Sequence, residues 1–130
     1  MILLLLKLWW SYLVTTLYPS EDKEQEVFIN WFRLTYKNFF IFSVPNGGNR
    51  NIYEAGKLKK TGVTAGITDL IILMPNKGIV FLEMKKQKGG VVSKVQKIIF
   101  SLIENLGFTV LIGYGFLDAK DKFEQYLKQF

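Results

Sequence analysis

The sequence contains neither cysteine nor histidine. The absence of cysteine excludes disulfide bonds and thiolate metal sites, and it is compatible with a reducing compartment. The absence of histidine removes the commonest general base and metal ligand. Any metal site must therefore use oxygen ligands, which favours Mg²⁺ or Mn²⁺. Any general base must come from Asp, Glu, Lys, Tyr or a metal-bound water.

The sequence also lacks an uninterrupted apolar run long enough to cross a membrane. Residues 1–14 are strongly apolar, but Lys7 interrupts them, and a spanning helix needs about 20 apolar residues. We predict that this segment is a helix or arm packed on the domain or on a partner subunit. Two alternatives stay open, a membrane or signal segment and an upstream extension without a role. A membrane is not an expected partner, and the expected compartment is the cytoplasm.

Length and composition predict one globular domain. The 130 residues are 49% hydrophobic and 15% aromatic, which is typical of a chain that buries a core. We divide the chain into an apolar N-terminal arm or extension, residues 1–19, and a domain, residues 20–130. The net charge is +6, and the segment from Arg50 to Lys97 holds ten basic residues but only three acids. This basic belt suits a polyanion such as nucleic acid, although a solvated surface would show the same pattern.

Apolar periodicity and turn residues predict an α/β fold. Ser20 and Ser93 are suited to cap the first turns of two helices. The predicted order is helix 21–36, strand 38–44, basic helix 49–61, hairpin strands 68–74 and 78–85, helix 93–106, strand 108–114 and helix 119–128. The predicted apolar face of helix 93–106 comprises Val95, Ile98, Ile99, Leu102, Ile103 and Leu106. These elements predict a mixed β-sheet of about four strands flanked by helices on both faces.

The hairpin carries charged residues in an otherwise apolar setting. Asp69 begins its first strand, and alternation places Glu83 and Lys85 on one face at the end of its second strand. A two-residue turn would place Asp69 opposite Met84, and a three-residue turn would place it opposite Glu83. Either register brings together two carboxylates, which repel each other unless a proton or a cation intervenes. The residues predict a divalent metal site or, alternatively, an ion-paired edge of the hairpin.

Motifs in and around this hairpin resemble one nuclease family. Asp69, followed after thirteen residues by Glu83-Met84-Lys85, resembles the D…ExK core of the PD-(D/E)XK nucleases. The surrounding motifs, in this order, are similar to those of the virus-type replication-repair nuclease (VRR-NUC) domain, in the form found in stand-alone phage proteins. These motifs are Pro45-Asn46-Gly47-Gly48, Ala55–Val63 and Ser93–Gln96. The resemblance covers residues 20–118.

The resemblance implies a restriction-endonuclease-like fold and a set of site residues. Lys85 would be the catalytic lysine, and Gln96 would lie near it and near the attacked phosphate. Glu21 is preferred to Glu24 as the carboxylate from the first helix, because the family's helix start matches Ser20-Glu21 and Gln25. The chain departs from the family at Thr68, where proline usually precedes the aspartate. The implied metal ligands are Glu21, Asp69, Glu83 and the backbone carbonyl of Met84.

The resemblance also implies a function. We expect a divalent-metal-dependent DNA endonuclease that uses Mg²⁺ or Mn²⁺, acts on branched DNA such as four-way junctions or flaps, and forms a homodimer. The alternative is a non-catalytic nucleic-acid-binding module with a degenerate nuclease fold. The basic helix holds no side-chain pattern that would read bases, so the shape of the DNA and not its sequence should guide binding. The predicted DNA contacts are Arg50, Lys57, Lys59, Lys60, Lys86 and Lys88.

Overall fold

The computed structural model describes residues 1–45 and 52–129. In chain order, its elements are α1 (Ile2–Leu17), α2 (Glu21–Thr35), β1 (Phe40–Ser43), α3 (Ile52–Lys60), β2 (Leu70–Met74), β3 (Gly78–Lys85), α4 (Lys94–Asn105), β4 (Thr109–Tyr114) and α5 (Phe116–Leu127). Arg50, one of the predicted DNA contacts, lies outside the described residues, as does most of the motif that begins at Pro45.

The four strands form one mixed sheet in the order β1-β2-β3-β4. β2 is antiparallel to both β1 and β3, whereas β3 and β4 are parallel and are joined through α4. The pairing of Met74 with Gly78 leaves three residues in the hairpin turn, so the register is the one that carries Asp69 towards Glu83. The mixed α/β sheet predicted from the sequence is confirmed.

Helices α2 and α5 cover one face of this sheet. Strand alternation turns Val80 and Leu82 of β3 towards that face, where both are fully buried. Phe28 and Phe32 lie one helical turn apart on α2, and the ring centroid of Phe32 is 5.3 Å from that of Phe123 on α5. This aromatic packing fixes α2 so that its N-terminal turn reaches the open end of the hairpin.

Helix α5 packs unusually close to β4. A Cβ atom at Gly113 would lie 2.4 Å from the Cβ atom of Ala119, so the approach requires glycine. The helix begins at Phe116, three residues before the predicted start at Ala119. The prediction was late because Gly115, the residue before the helix, provides no side-chain cap, and the acceptor for the Phe116 N–H comes from α2 instead.

Helix α4 lies on the opposite face of the sheet and exposes part of its predicted apolar face. Its own residues Phe100 and Ile103 are buried. Four apolar residues at helical spacing are 50–76% exposed, namely Val95, Ile98, Leu102 and Leu106. The predicted apolar face is wrong in this respect, because the sequence has apolar residues on two sides of the helix and only one side meets the sheet.

Helix α1 does not pack on the domain over residues 2–10. All eight apolar side chains in this stretch are more than half exposed. The expectation of an arm packed on its own domain is therefore wrong for these residues, since α2 and α5 already fill the core face of the sheet. Within residues 1–45 and 52–129, no helix combines the length and the apolarity needed to cross a membrane.

Candidate functional site

The open end of the β2–β3 hairpin is closed by side chains instead of ladder hydrogen bonds. The backbone N–H of Asp69 donates to Glu83 Oε2 at 3.2 Å. The backbone N–H of Met84 donates to Asp69 Oδ2 at 3.1 Å. These two reciprocal bonds hold the carboxylates of Asp69 and Glu83 next to each other.

Glu21 joins these two carboxylates from the first turn of α2. Ser20 caps this helix by accepting a hydrogen bond from the Lys23 N–H, which places Glu21 at its first position. Carboxylate oxygens of Glu21, Asp69 and Glu83 lie within 4.8 Å of one another. The three acids line a cleft of about 400 Å³ that is open to solvent.

Lys85 and Gln96 occupy the other side of the same cleft. Lys85 is only 9% exposed, and its Nζ donates to Gln96 Oε1 at 3.1 Å and lies 3.6 Å from Glu83 Oε1. Gln96 Nε2 in turn donates to Glu83 Oε1 at 2.9 Å. The amide of Gln96 therefore fixes both the ammonium and one of the carboxylates.

Gln96 is held in place because it also begins α4. Its backbone N–H donates to Ser93 Oγ at 3.1 Å, and its Oε1 accepts from the Ser93 N–H at 2.9 Å. This reciprocal capping box satisfies two N–H groups at the helix start. The predicted cap at Ser93 is confirmed, and the same glutamine serves the helix start and the cleft.

The crowding of carboxylates changes their acidity. Burial, followed by the neighbouring Asp69, raises the pKa of Glu83 to about 8, while Lys85 opposes the shift. Burial is also the main cause of the raised pKa of Glu21; the charge of Lys85 lowers this pKa and that of Asp69 raises it. Burial and the nearby carboxylate thus oppose ionisation of Glu83 and Glu21 more than Lys85 favours it, so a further positive charge would stabilise the ionised site.

Glu24 lies away from the cleft, although it is only one helical turn from Glu21. Its carboxylate is 4% exposed and accepts hydrogen bonds from Gln87 Nε2, at 2.8 Å, and from the backbone N–H of Phe116. An anion at this position complements the N-terminus of α5. Glu24 therefore connects α2, the loop after β3 and α5. Of the two candidates on α2, the structure brings Glu21 to the other carboxylates.

The loop before β2 approaches α4 closely. Gly66 has φ 87°, and a Cβ atom there would lie 2.9 Å from Val95 Cγ1 and 3.0 Å from the Val95 carbonyl oxygen. Thr68, at the position where proline was expected, is fully buried, and its Oγ1 donates to the carbonyl oxygen of Leu70 at 3.3 Å. The close packing at Gly66 was not foreseen, although a glycine three residues before a candidate ligand is the signal that could have indicated it.

The described lysines among the predicted DNA contacts are exposed. Lys57, Lys59 and Lys60 lie in the last turn of α3. Lys86 and Lys88 directly follow the Lys85 end of β3, and the Nζ of Lys88 lies 5.7 Å from the ring centroid of Tyr18. Their positions leave these five side chains available to a polyanion.

Comparison with known proteins supports the same family as the sequence motifs. No family model matches the sequence, and no curated protein matches it. A solved structure described as "VRR_NUC domain protein" matches with a TM-score of 0.69 and 25% sequence identity, over 84% of this chain and 88% of that chain. The chain has the VRR-NUC fold. The resemblance stated from the sequence is thereby confirmed.

In this VRR-NUC fold, the residues of the cleft fit a hard divalent cation. Three carboxylates from α2 and from the two hairpin strands converge, and Mg²⁺ and Mn²⁺ prefer such oxygen ligands. Burial, and after it the neighbouring Asp69, raises the pKa of Glu83 to about 8, and a bound cation would offset both causes. The fit therefore rests on the chemistry of the donors and on their proximity.

Proposed function

We propose that this chain is a divalent-metal-dependent DNA endonuclease that selects branched DNA, such as four-way junctions or flaps. One observation carries the proposal: Glu21, Asp69 and Glu83 meet Lys85 and Gln96 in a single open cleft. An ion-paired hairpin edge would not require a third carboxylate from another helix. The VRR-NUC fold supports the assignment to a nuclease.

Each residue of the cleft has a distinct role in this proposal. Mg²⁺ or Mn²⁺, held by Glu21, Asp69, Glu83 and the backbone carbonyl of Met84, would supply Lewis acidity and offset the charge of the phosphate. The Lys85 ammonium stabilises the negative charge that develops as water attacks phosphorus and the bond to the leaving oxygen breaks. Gln96 keeps Lys85 and Glu83 in their mutual arrangement through its two amide hydrogen bonds.

Exposed lysines support DNA as the substrate. The lysines of α3 and of the loop after β3 offer point charges to phosphates, and these contacts position DNA without reading its sequence. A structure-selective enzyme needs no more than this from its basic surface. The proposed contacts are Arg50, Lys57, Lys59, Lys60, Lys86 and Lys88.

A cleavage assay tests the proposal. The chain should cut DNA when Mn²⁺ or Mg²⁺ is added, and it should prefer four-way junctions or flaps to linear duplex and single strands. Asp69→Asn and Lys85→Ala should abolish cleavage while folding and DNA binding are retained. The matched control Lys128→Ala changes an exposed lysine on the C-terminal side of α5 and should cleave normally. Retained metal-dependent cleavage in both cleft variants would refute the assignment.

The competing function is a non-catalytic DNA-binding module. It shares the exposed lysines but needs no metal in the cleft. Titration calorimetry with Mn²⁺ distinguishes the two, because the endonuclease must bind the ion and the Asp69→Asn variant must bind it more weakly. The convergence of three carboxylates on one point favours the endonuclease.

The exposed stripe on α4 supports the proposed homodimer. Four apolar side chains, Val95, Ile98, Leu102 and Leu106, lie along one side of the helix and are 50–76% exposed. Such a stripe is typical of a helix that packs against another helix. Sedimentation velocity should give a dimer for the native chain and a monomer for Ile98→Glu/Leu102→Glu. A native monomer at micromolar concentration would refute the homodimer.

A further inference from the structure

Helix α1 carries an apolar surface that the proposed nuclease does not use. In the stretch 2–10, every residue except Lys7 is apolar, and each of these apolar side chains is 53–75% exposed. An exposed apolar area of this extent marks a surface that binds a protein or a membrane. The chemistry of the partner can be read from how the side chains are arranged.

The arrangement around the helix axis favours lipid over a protein partner. At about 100° per residue, Lys7 lies alone in the widest gap, between Leu3 and Leu4, and apolar side chains point in all other directions. Leu6 and Leu8, for example, point about 160° apart on this spacing. A protein groove or a single partner helix covers one stripe and would leave the opposite side in water. Lipid chains can surround the helix on all its apolar sides.

The charges along this segment complement an anionic membrane surface. Residues 1–20 contain no aspartate or glutamate, and their one charged side chain is that of Lys7. Near the C-terminal end of α1, the Lys88 Nζ lies 5.7 Å from the ring centroid of Tyr18. Tyrosine and tryptophan beside lysine are the residues that prefer the headgroup region of a bilayer, and Trp9 and Trp10 are also on this helix.

The length of α1 and the spacing of its polar groups indicate its orientation. A helix of 16 residues is about 24 Å long, which is shorter than the hydrocarbon core of a bilayer, about 30 Å. Lys7 lies near the middle of the helix, and the Tyr18–Lys88 pair lies just after its C-terminal end. If this end stayed at the headgroups and the helix entered on end, Lys7 would lie about 16 Å deep, inside the hydrocarbon. A helix that sinks obliquely between the headgroups and the outer acyl chains lets Lys7 and Lys88 reach the headgroups while its other sides contact lipid.

We propose that α1 is a membrane-binding helix that sinks between the headgroups and the outer acyl chains of an anionic lipid bilayer, with Lys7 towards water, and tethers the domain to the membrane. The proposal does not depend on the nuclease chemistry, because no described side chain of α1 lines the cleft and neither Lys7, Trp9 nor Trp10 is a proposed DNA contact. Lys88 is the one residue named in both proposals.

Flotation with lipid vesicles tests this proposal on the full-length chain. The chain should float with vesicles that contain phosphatidylglycerol, and brominated lipids should quench the fluorescence of Trp9 and Trp10. Ile2→Glu/Leu5→Glu should lower the partition coefficient by at least about tenfold, because both residues point more than about 130° away from Lys7 and glutamate strongly disfavours the apolar region of a bilayer. Leu117→Glu is the matched control, since Leu117 is 72% exposed on α5, and it should bind vesicles as the native chain does.

Two results would overturn the proposal. If Ile2→Glu/Leu5→Glu floats as well as the native chain, the lysines of the domain hold the vesicles and α1 is not inserted. If the native chain does not float but loses a self-associated state when these two residues are changed, a second copy of the chain covers α1. DNA cleavage is measured on the same samples, so that a failure to bind vesicles can be told apart from a failure of the nuclease proposal.

Discussion

Without metal, the protein with Glu83→Gln should become more stable than the wild type as the pH rises. Glu83 has an ordinary pKa of 4.5, which burial and Asp69 raise to about 8 in the folded chain. The folded state therefore favours the protonated carboxyl. This preference stabilises the fold fully below the unfolded-state pKa and is lost as the pH rises towards the folded-state value. Glutamine is always neutral, so it should remove that pH dependence.

The magnitude follows from proton linkage. One pKa unit corresponds to roughly 1.4 kcal/mol, so wild type should lose roughly 3 kcal/mol of unfolding free energy relative to Glu83→Gln between about pH 5 and about pH 7.5. This value is an upper limit, because Asp69 and Glu83 are close enough to titrate as a pair. Glutamine also changes the hydrogen bonds to Asp69 and Gln96, but that cost is the same at both pH values and cancels.

Urea unfolding in the presence of a chelator measures this difference. The experiment compares the urea unfolding of wild type and Glu83→Gln at both pH values. The control is Glu104→Gln, which removes an exposed carboxylate from α4. The expected result is a gain for Glu83→Gln at the higher pH that the control does not show. A pH-dependent difference below about 0.5 kcal/mol would refute the reasoning, since changes of that size are typical of ordinary surface substitutions.

Two further substitutions probe the hydrogen bonds around the cleft. Gln96→Ala should lower both Mn²⁺ affinity and the cleavage rate by roughly 10–100-fold, because Glu83 and Lys85 lose their common hydrogen-bond partner. Calorimetry measures the affinity and a turnover assay measures the rate. Unchanged values would contradict the role of Gln96. Glu24→Ala should lower the unfolding free energy by roughly 1–3 kcal/mol, because it leaves the Phe116 N–H without its acceptor. The control is Glu26→Ala, which removes only an exposed ion pair with Lys23 and should change the unfolding free energy by less than about 0.5 kcal/mol. Urea unfolding measures both variants. Equal losses of unfolding free energy in the two variants would contradict the role of Glu24.

The site was predictable where its residues are close in sequence or lie on regular elements. Strand alternation places Glu83 and Lys85 on one face, and the hairpin returns Asp69 to them. The choice between a two-residue and a three-residue turn needed the structure. Asn76 and Lys77 adopt φ 62° and 66°, a conformation that the sequence Pro-Asn-Lys-Gly does not determine by itself.

Long-range contacts account for what the sequence did not predict. The start of α5 depends on a carboxylate from Glu24, which is 92 residues from Phe116. The orientation of α4 depends on which of its two apolar sides meets the sheet. From the sequence, α1 is expected to pack on the domain because apolar residues are usually buried in the core. Here the aromatic residues of α2 and α5 already fill that core.

Because of the capping box at Ser93 and Gln96, the cleft is assembled only when the first turn of α4 is folded. The glutamine that satisfies the first turn of α4 is also the one that fixes Lys85 and Glu83, so fraying of that turn disassembles the cleft at once. Under the proposed function, a nascent or partly unfolded chain would not cleave DNA, whichever of its carboxylates are already present. Protection of the Gln96 amide from hydrogen exchange would report, in one signal, both the integrity of the helix and the assembly of the cleft.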